Sequence, residues 1–238
     1  MTAALSPTVS AEPRSTEAFG EQLLGILNGA TSALSISVGH RTGLFDAMAD
    51  LDGATSEQIA DAAGLQERYV REWLGAMTTA RIVDYDATDR TYRLPAEHAT
   101  LLTRAAGGEN FAAFMQYIAV LAEVEDHVVD AFRAGGGVDY ACYHRFHEVM
   151  AEDSGQTVVA ALFDYVLDLV PGLSDRLEAG IEAVDIGCGS GLACVALAER
   201  FPDSRIVGYD LSHDAIGRAN AEAERRGLTN VRFEACDL

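Results

Sequence analysis

AVDIGCGSG, residues 183–191, decides how the rest of this chain is read. Ala183, Val184 and Ile186 form a short apolar run that reads as a buried strand. It enters three glycines at alternate positions, Gly187, Gly189 and Gly191, and then an apolar helical stretch, LACVALAERF, from Leu192. Strand, glycine turn and helix in that order make a ligand-binding shape. Glycine tolerates positive φ in the turn, and its missing Cβ lets a ligand lie against the backbone. The helix that follows aims its unpaired first-turn N–H groups at the same spot.

Two details narrow the ligand. A dinucleotide fingerprint spaces its glycines as GxGxxG, but the third position falls here on Leu192, and the observed spacing is GxGxG. Asp185 stands two residues before the first glycine, where its negative charge favours an ammonium or sulfonium and gains nothing from a pyrophosphate. Further along, RIVGYD (205–210) is a second strand ending in Asp210, about 20 residues past the glycines, the usual distance to an acid that meets ribose hydroxyls. Both carboxylate oxygens of Asp210 can accept such hydrogen bonds. Ser212 caps a helix through Ile216, Ala219 and Ala223 that Gly227 closes. A third strand, VRFEA (231–235), alternates Val231, Phe233 and Ala235 inward and leads to Cys236, Asp237 and Leu238.

These three motifs together resemble the class I S-adenosylmethionine-dependent methyltransferases. The resemblance implies a Rossmann-like parallel sheet with S-adenosylmethionine as cofactor, contacted by Asp185, Gly187, Cys188, Gly189, Gly191, Asp210, Leu211, Cys236, Asp237 and Leu238. It gives Asp185 and the glycine turn to the methionine end, Asp210 to the ribose, and Asp237 to the adenine amino group.

Whole-chain properties bound the function. With 238 residues and 49% hydrophobic composition, the chain can hold one large or two modest cores. A net charge of −20 argues against nucleic acid or an anionic membrane as partner. The best apolar run, FAAFMQYIAVLAEV, is interrupted by Gln116 and falls short of a membrane span. The opening residues lack the basic and apolar regions of a signal peptide, so the expected location is cytoplasmic. Cys142, Cys188, Cys194 and Cys236 contain no CxxC pair and suggest free thiols.

Residues 1–15 are expected to be disordered. Residues 16–34 carry Phe19, Leu23, Leu24, Leu27 and Leu34 at helical spacing, weakened at Gly29, a helix suited to packing on the chain or on a second copy. Three helices follow: LFDAMADL; ATSEQIADAAGL, with Thr55 and Gln58 as a capping box and Gly64 as stop; and QERYVREWLGAMTTA, with Tyr69 beside Trp73 and Val70 beside Leu74 and Met77. RIVDYD and TYRL then form a hairpin around Asp86–Asp89. Three helices and a hairpin spell a winged helix over 16–100. Arg68 and Arg71 on its third helix would meet phosphates in a DNA reader, but Glu67, Glu72 and seven nearby aspartates oppose that. The arrangement resembles the N-terminal domain of many small-molecule methyltransferases, which implies homodimerisation and closure of a substrate pocket.

Residues 101–176 read as a helical connector: one long segment over 107–134, stopped by Gly135–Gly137, and a helix over 156–170, stopped by Pro171 and Gly172. Between them Tyr140, Tyr143, His144, Phe146, His147 and Glu148 form either ordinary packing with solvated histidines or the wall of a substrate pocket. In the second case Tyr143 and Phe146 line the pocket, and His144 or His147 is a general base for a hydroxyl acceptor. Cys142, His144 and His147 lack the spacing of a metal site, and no metal is expected.

The fold expected is therefore α/β: a helical and winged-helix N-terminal part, then an incomplete methyltransferase domain over 177–238. The family's sheet has seven strands and three are present, so the chain reads as part of a longer enzyme. It would hold most adenosine and methionine contacts without micromolar affinity of its own. The function expected is methyl transfer to a small-molecule acceptor. Two alternatives stay open: a winged-helix transcription regulator sensing a nucleotide-like ligand, and an oxidoreductase on a dinucleotide fold.

Overall fold

The computed structural model describes residues 15–237. Leu238 and all but the last of residues 1–15 lie outside that range. The Ser15 hydroxyl oxygen accepts a hydrogen bond from Ala18 N at 3.0 Å and caps helix α1 (Thr16–Arg41). The helix runs past its expected end at 34 and is not broken at Gly29, because its second half is held by tertiary contacts. Trp73 Nε1 donates to Ser35 O at 2.8 Å, and Gly39 lies against the Trp73 and Phe45 rings. The first half is bare, with Phe19, Leu24 and Leu27 each more than half exposed.

Helices α2 (Leu44–Ala49), α3 (Ser56–Ala63) and α4 (Glu67–Thr79) pack Phe45, Met48, Ile59, Val70, Leu74 and Met77 into one core. The capping box closes α3 as its sequence predicts, with Thr55 N donating to Gln58 Oε1 and Gln58 N to Thr55 Oγ1, and Gly64 ends it in the left-handed region. Tyr69 is not a partner of Trp73: it points into solvent, and Phe45 meets Trp73 edge-on at 5.2 Å. The hairpin is shorter than its sequence suggests. Strands β1 (Asp84–Asp86) and β2 (Thr91–Arg93) pair antiparallel, while Arg81 takes φ +59° and keeps the chain before Asp84 out of the ladder.

The connector is more broken than its periodicity implies. After α5 (Ala96–Leu102), residues 107–134 divide into a 3₁₀ turn ending at Glu109, α6 (Phe111–Ala122) and α7 (Glu125–Ala134). The division falls at Val124, which is buried, and Glu125 and Asp126 supply the acidic first turn of a new helix. Helix α8 (Phe146–Ser154) then widens into π-helical turns at Gly155–Val159 and Leu162–Val166, where one regular helix is expected. Thr157 Oγ1 donates to Asp153 O at 2.8 Å, a side-chain hydrogen bond that competes with the regular ladder where it widens.

Helix α9 (Leu173–Glu178) leads into β3 (Glu182–Ile186), α10 (Leu192–Arg200), β4 (Arg205–Asp210), α11 (His213–Arg225) and β5 (Val231–Ala235). The strands are parallel in the order β3–β4–β5, joined by α10 and α11 as crossovers. Leu177, Val195, Phe201, Ile206, Ile216 and Phe233 form the core on the helix-covered face. The expectation that Val184 and Ile186 are buried is corrected here. They are 56% and 72% exposed, because α10 and α11 cover the face that carries Ala183 and Asp185 and leave the opposite face bare among the described residues.

Candidate functional site

The turn after β3 is fixed from β4. Gly187 N and Cys188 N both donate to Tyr209 O, at 2.8 and 3.0 Å, and Gly191 N donates back to Cys188 O at 2.9 Å. Asp210 completes the turn: Oδ2 accepts from Gly189 N and Oδ1 from Ser212 N, both at 2.8 Å. One carboxylate thus joins the glycine loop to the start of α11, and each oxygen keeps a lone pair for a ligand. Cys236 N donates to Asp210 O at 2.9 Å, which brings the end of β5 to the same place.

Above these strand ends lies a cavity of about 610 Å³, lined by Asp185, Gly187, Cys188, Gly189, Asp210, Leu211, Cys236 and Asp237. Its opposite wall comes from the connector: Tyr140, Phe146, His147, Met150 and Ser154. Three carboxylates face it, and no Lys or Arg is among the described residues that line it. A phosphate would find backbone N–H groups there but no cation, whereas a cationic ligand with hydroxyls meets acceptors throughout.

The three glycines do different work. Gly187 and Gly189 line the cavity, and nothing lies within 4 Å of where a Cβ would stand on either. Gly191 does not line it. A Cβ there would come 2.5 Å from the Phe233 ring and 2.8 Å from Ala219, so its absence permits close packing of helix on strand.

The connector wall is held by buried polar contacts. His40, 1% exposed, donates from Nε2 to Glu152 Oε1 at 2.7 Å, and Gln116 Nε2 donates to Glu152 Oε2 at 2.7 Å. Arg145 donates to Gln116 Oε1 at 2.9 Å. Burial pushes the Glu152 carboxyl up, but these hydrogen bonds and the charges of His40 and Arg104 outweigh it and hold it below the ordinary carboxylate range. Tyr117 donates to Asp153 Oδ2 at 3.1 Å; burial first, then the Asp153 charge, push its phenol up to about 12. Since α8 carries both Glu152 and the cavity residues Phe146, His147 and Met150, this network sets where the wall stands.

Of the residues predicted to form the pocket wall, Phe146 and His147 line the cavity; Tyr143 and His144 do not. His144 is exposed, with Nδ1 2.9 Å from Glu123 Oε1. His147 is stacked on Tyr140 at 5.9 Å. The cavity also contains Ser190, Leu192, Tyr209, Ser212 and Met150, none of which the sequence assigns to the site. Ser190 and Tyr209 adjoin motif residues and were findable by proximity; Met150 and Ser154 lie one turn and two turns past Phe146 and His147 on α8, a relation visible only once that helix is placed.

Residues 30–104 match the family model described as Rv2258c-like winged HTH domain, and residues 177–238 match the one described as Methyltransferase domain. Among curated relatives, a trans-aconitate 2-methyltransferase of Deinococcus radiodurans is 39% identical over 57 residues, covering 24% of this chain and 20% of the relative. A release factor glutamine methyltransferase of Geobacter sulfurreducens is 45% identical over 51 residues, covering 21% and 18%. The chain spans about a fifth of the length of these curated relatives. Among solved structures, the mitomycin 7-O-methyltransferase MmcR superposes with a TM-score of 0.64 at 21% identity, covering 93% of this chain and 66% of that one. Human N-acetylserotonin methyltransferase in complex with SAM gives 0.59 at 14% identity, covering 95% and 68%. At these identities the shared feature is the fold: helical N-terminal part, connector and sheet in one order.

Proposed function

We propose that this chain, a winged-helix region joined to a class I methyltransferase fold, binds S-adenosylmethionine and serves methyl transfer to a small molecule. The observation that carries the reading is the convergence of Asp185, Asp210 and Asp237, from the ends of three adjacent parallel strands, on one cavity floored by Gly187 and Gly189. Bound there, the cofactor supplies an activated methyl on a sulfonium. Asp185 offers that cation a carboxylate, Asp210 offers ribose hydroxyls its remaining lone pairs, and Asp237 offers an acceptor to the adenine amino group. The volume suits one such molecule with space beside it.

The acceptor would enter against Tyr140, Phe146 and Met150, whose apolar surfaces exclude water from the transfer path. Positioning supplies most of the acceleration in such a transfer. His147, which lines the cavity, is the group we assign to take the proton of a hydroxyl acceptor in preference to His144, whose Nδ1 is engaged with Glu123 outside the lining. The matched relatives act on acceptors as different as trans-aconitate and a release factor glutamine, so the likeness in 177–238 belongs to the cofactor half and does not select the acceptor. We assign the bare half of α1 to pairing with a second copy, and the free cysteines and acidic composition suit the cytoplasm. A DNA-reading role is disfavoured at α4, where Arg71 Nε lies 3.6 Å from Glu67.

Thermal melting with S-adenosylmethionine, S-adenosylhomocysteine and NAD, each at millimolar concentration, tests the reading. The adenosyl ligands should raise the melting temperature of the wild type and not of Asp210→Ala, and NAD should raise neither. Stabilisation by NAD alone would assign the cavity to a dinucleotide and overturn the proposal.

A further inference from the structure

The cavity floor contains a pair of cysteines whose thiol chemistry cofactor binding does not use. Cys188 lines the cavity, and Cys194, six residues on in α10, is fully buried beneath it. Both sulfurs sit on the same rung of the sheet. Asp185 and Gly208 are register partners across β3 and β4, so their side-chain positions share a face. Cys194 Sγ donates to Asp185 Oδ2 at 3.4 Å, and Cys188 Sγ fills the space over Gly208, 2.7 Å from where a Cβ would stand. Gly208 thus makes room for the Cys188 sulfur. One thiol lines the cavity, and the other is buried against Asp185, the register partner of the Gly208 that the first thiol covers.

We propose that Cys188 and Cys194 form an oxidation site, a dithiol that hydrogen peroxide converts to a disulfide across the glycine turn, and that this bond distorts the floor of the cofactor cavity and stops it binding. The assignment of that cavity to S-adenosylmethionine rests on the reading above; the cross-link itself does not.

The chemistry balances with peroxide as the oxidant. The Cys188 thiolate attacks one peroxide oxygen: an S–O bond forms, the O–O bond breaks, and the departing hydroxide takes up the proton that Cys188 gave away. The Cys194 sulfur then attacks the Cys188 sulfenic acid. The S–S bond forms, the S–O bond breaks, and hydroxide leaves with the Cys194 proton as a second water. Two thiols lose two electrons and one peroxide becomes two waters. The division of labour follows from the surroundings. The nearby Cys194 sulfur lowers the Cys188 pKa against burial and the Asp185 and Asp210 charges, while the same closeness, burial and Asp185, which accepts the Cys194 S–H, keep Cys194 protonated.

The consequence for the cavity is mechanical. A disulfide needs its sulfurs about 2.05 Å apart, far inside non-bonded contact. Drawing Cys188 inward pulls on Cys188 N to Tyr209 O at 3.0 Å, Gly191 N to Cys188 O at 2.9 Å and Gly189 N to Asp210 Oδ2 at 2.8 Å, the bonds that shape the turn.

Peptide mapping by mass spectrometry after peroxide treatment of the full chain, with melting in the presence and absence of S-adenosylmethionine, tests the proposal. A Cys188–Cys194 cross-link is expected, with loss of the ligand-induced melting shift and its recovery in dithiothreitol. Cys194→Ala should give no cross-link and leave Cys188 as a sulfenic acid that dimedone traps. Cys142→Ser, a cysteine outside the cavity lining, should cross-link as the wild type does. A bond from Cys188 to Cys236, or no bond at all, overturns the proposal, as does a cross-linked protein that keeps its melting shift. Cross-linking in a protein that S-adenosylmethionine never stabilises would leave the oxidation site standing and defeat the cofactor assignment instead.

Discussion

At the scale of single residues, glycines that look equivalent in sequence are separated by what a Cβ would touch. Gly187, Gly189 and Gly191 all have positive φ, at +77°, +55° and +72°. Alanine at any of them costs about 1 kcal/mol in backbone strain. At Gly191 the added carbon also strikes Phe233 and Ala219, and overpacking of that kind adds roughly 1–3 kcal/mol. Gly191→Ala should therefore lower the urea midpoint several times more than Gly187→Ala, whereas Gly187→Ala, facing the cavity, should weaken ligand stabilisation more. Equal midpoints in the two variants would contradict the packing role of Gly191. Asp210 permits a similar separation. Asparagine keeps one acceptor for Gly189 N or Ser212 N and presents a donor to the other, so Asp210→Asn should weaken S-adenosylmethionine by about 10- to 100-fold, the worth of a hydrogen bond to a charged acceptor. Calorimetric titration of the two proteins reads that ratio.

Among the elements, α8 is the one whose position matters most and whose sequence says least about it. Its wall contacts depend on Glu152 meeting His40, 112 positions earlier, and Gln116, 36 earlier. Glu152→Ala leaves the buried His40 Nε2 and Gln116 amide without their acceptor, at a cost of about 1–3 kcal/mol. Urea unfolding should show that loss, and Glu152→Gln should recover part of it. The pH dependence has a definite sign. The Glu152 pKa lies below its ordinary 4.5 in the folded protein, so as pH falls through that window the unfolded chain takes up the proton first. Its stabilisation is complete above about pH 4.5 and lost as pH drops through the folded value; the difference between wild type and Glu152→Gln should shrink over that range and not at higher pH. The same contrast explains what could be read from the sequence. The glycine turn, the Thr55–Gln58 box and the Gly64 stop are written in neighbouring residues and were legible. The break at Val124, the π-helical turns after Ser154 and the outward faces of Tyr69, Val184 and Ile186 depend on partners distant in the chain. Periodicity identifies an apolar face without saying what covers it.

For the whole molecule, charge and the bare half of α1 pull in opposite directions. Phe19, Leu23, Leu24, Ile26 and Leu27 are all 46% exposed or more, in one stretch of helix whose nearby charges are Glu17 and Glu21. A stripe of that kind on a free monomer would invite non-specific association, and in the pairing proposed above a second copy of the same helix would cover it with its own apolar side chains. The rest of the chain resists, since each copy carries a formal −20. Salt screens such repulsion over about 10 Å at 0.1 M while leaving apolar burial intact. Dimerisation through α1 should therefore tighten as sodium chloride rises, opposite to the weakening expected if a basic surface were binding nucleic acid. Light scattering across a salt series checks the direction. The double variant Leu24→Glu, Leu27→Glu places charges in the stripe without touching the cores of either domain, so it should be monomeric at every salt concentration and keep the wild-type response to S-adenosylmethionine. A double variant that remains dimeric would move the interface elsewhere. One that becomes monomeric and also loses its ligand response would show that the cavity wall on α8 needs the second copy, through the α1 residue His40 that holds Glu152 in place.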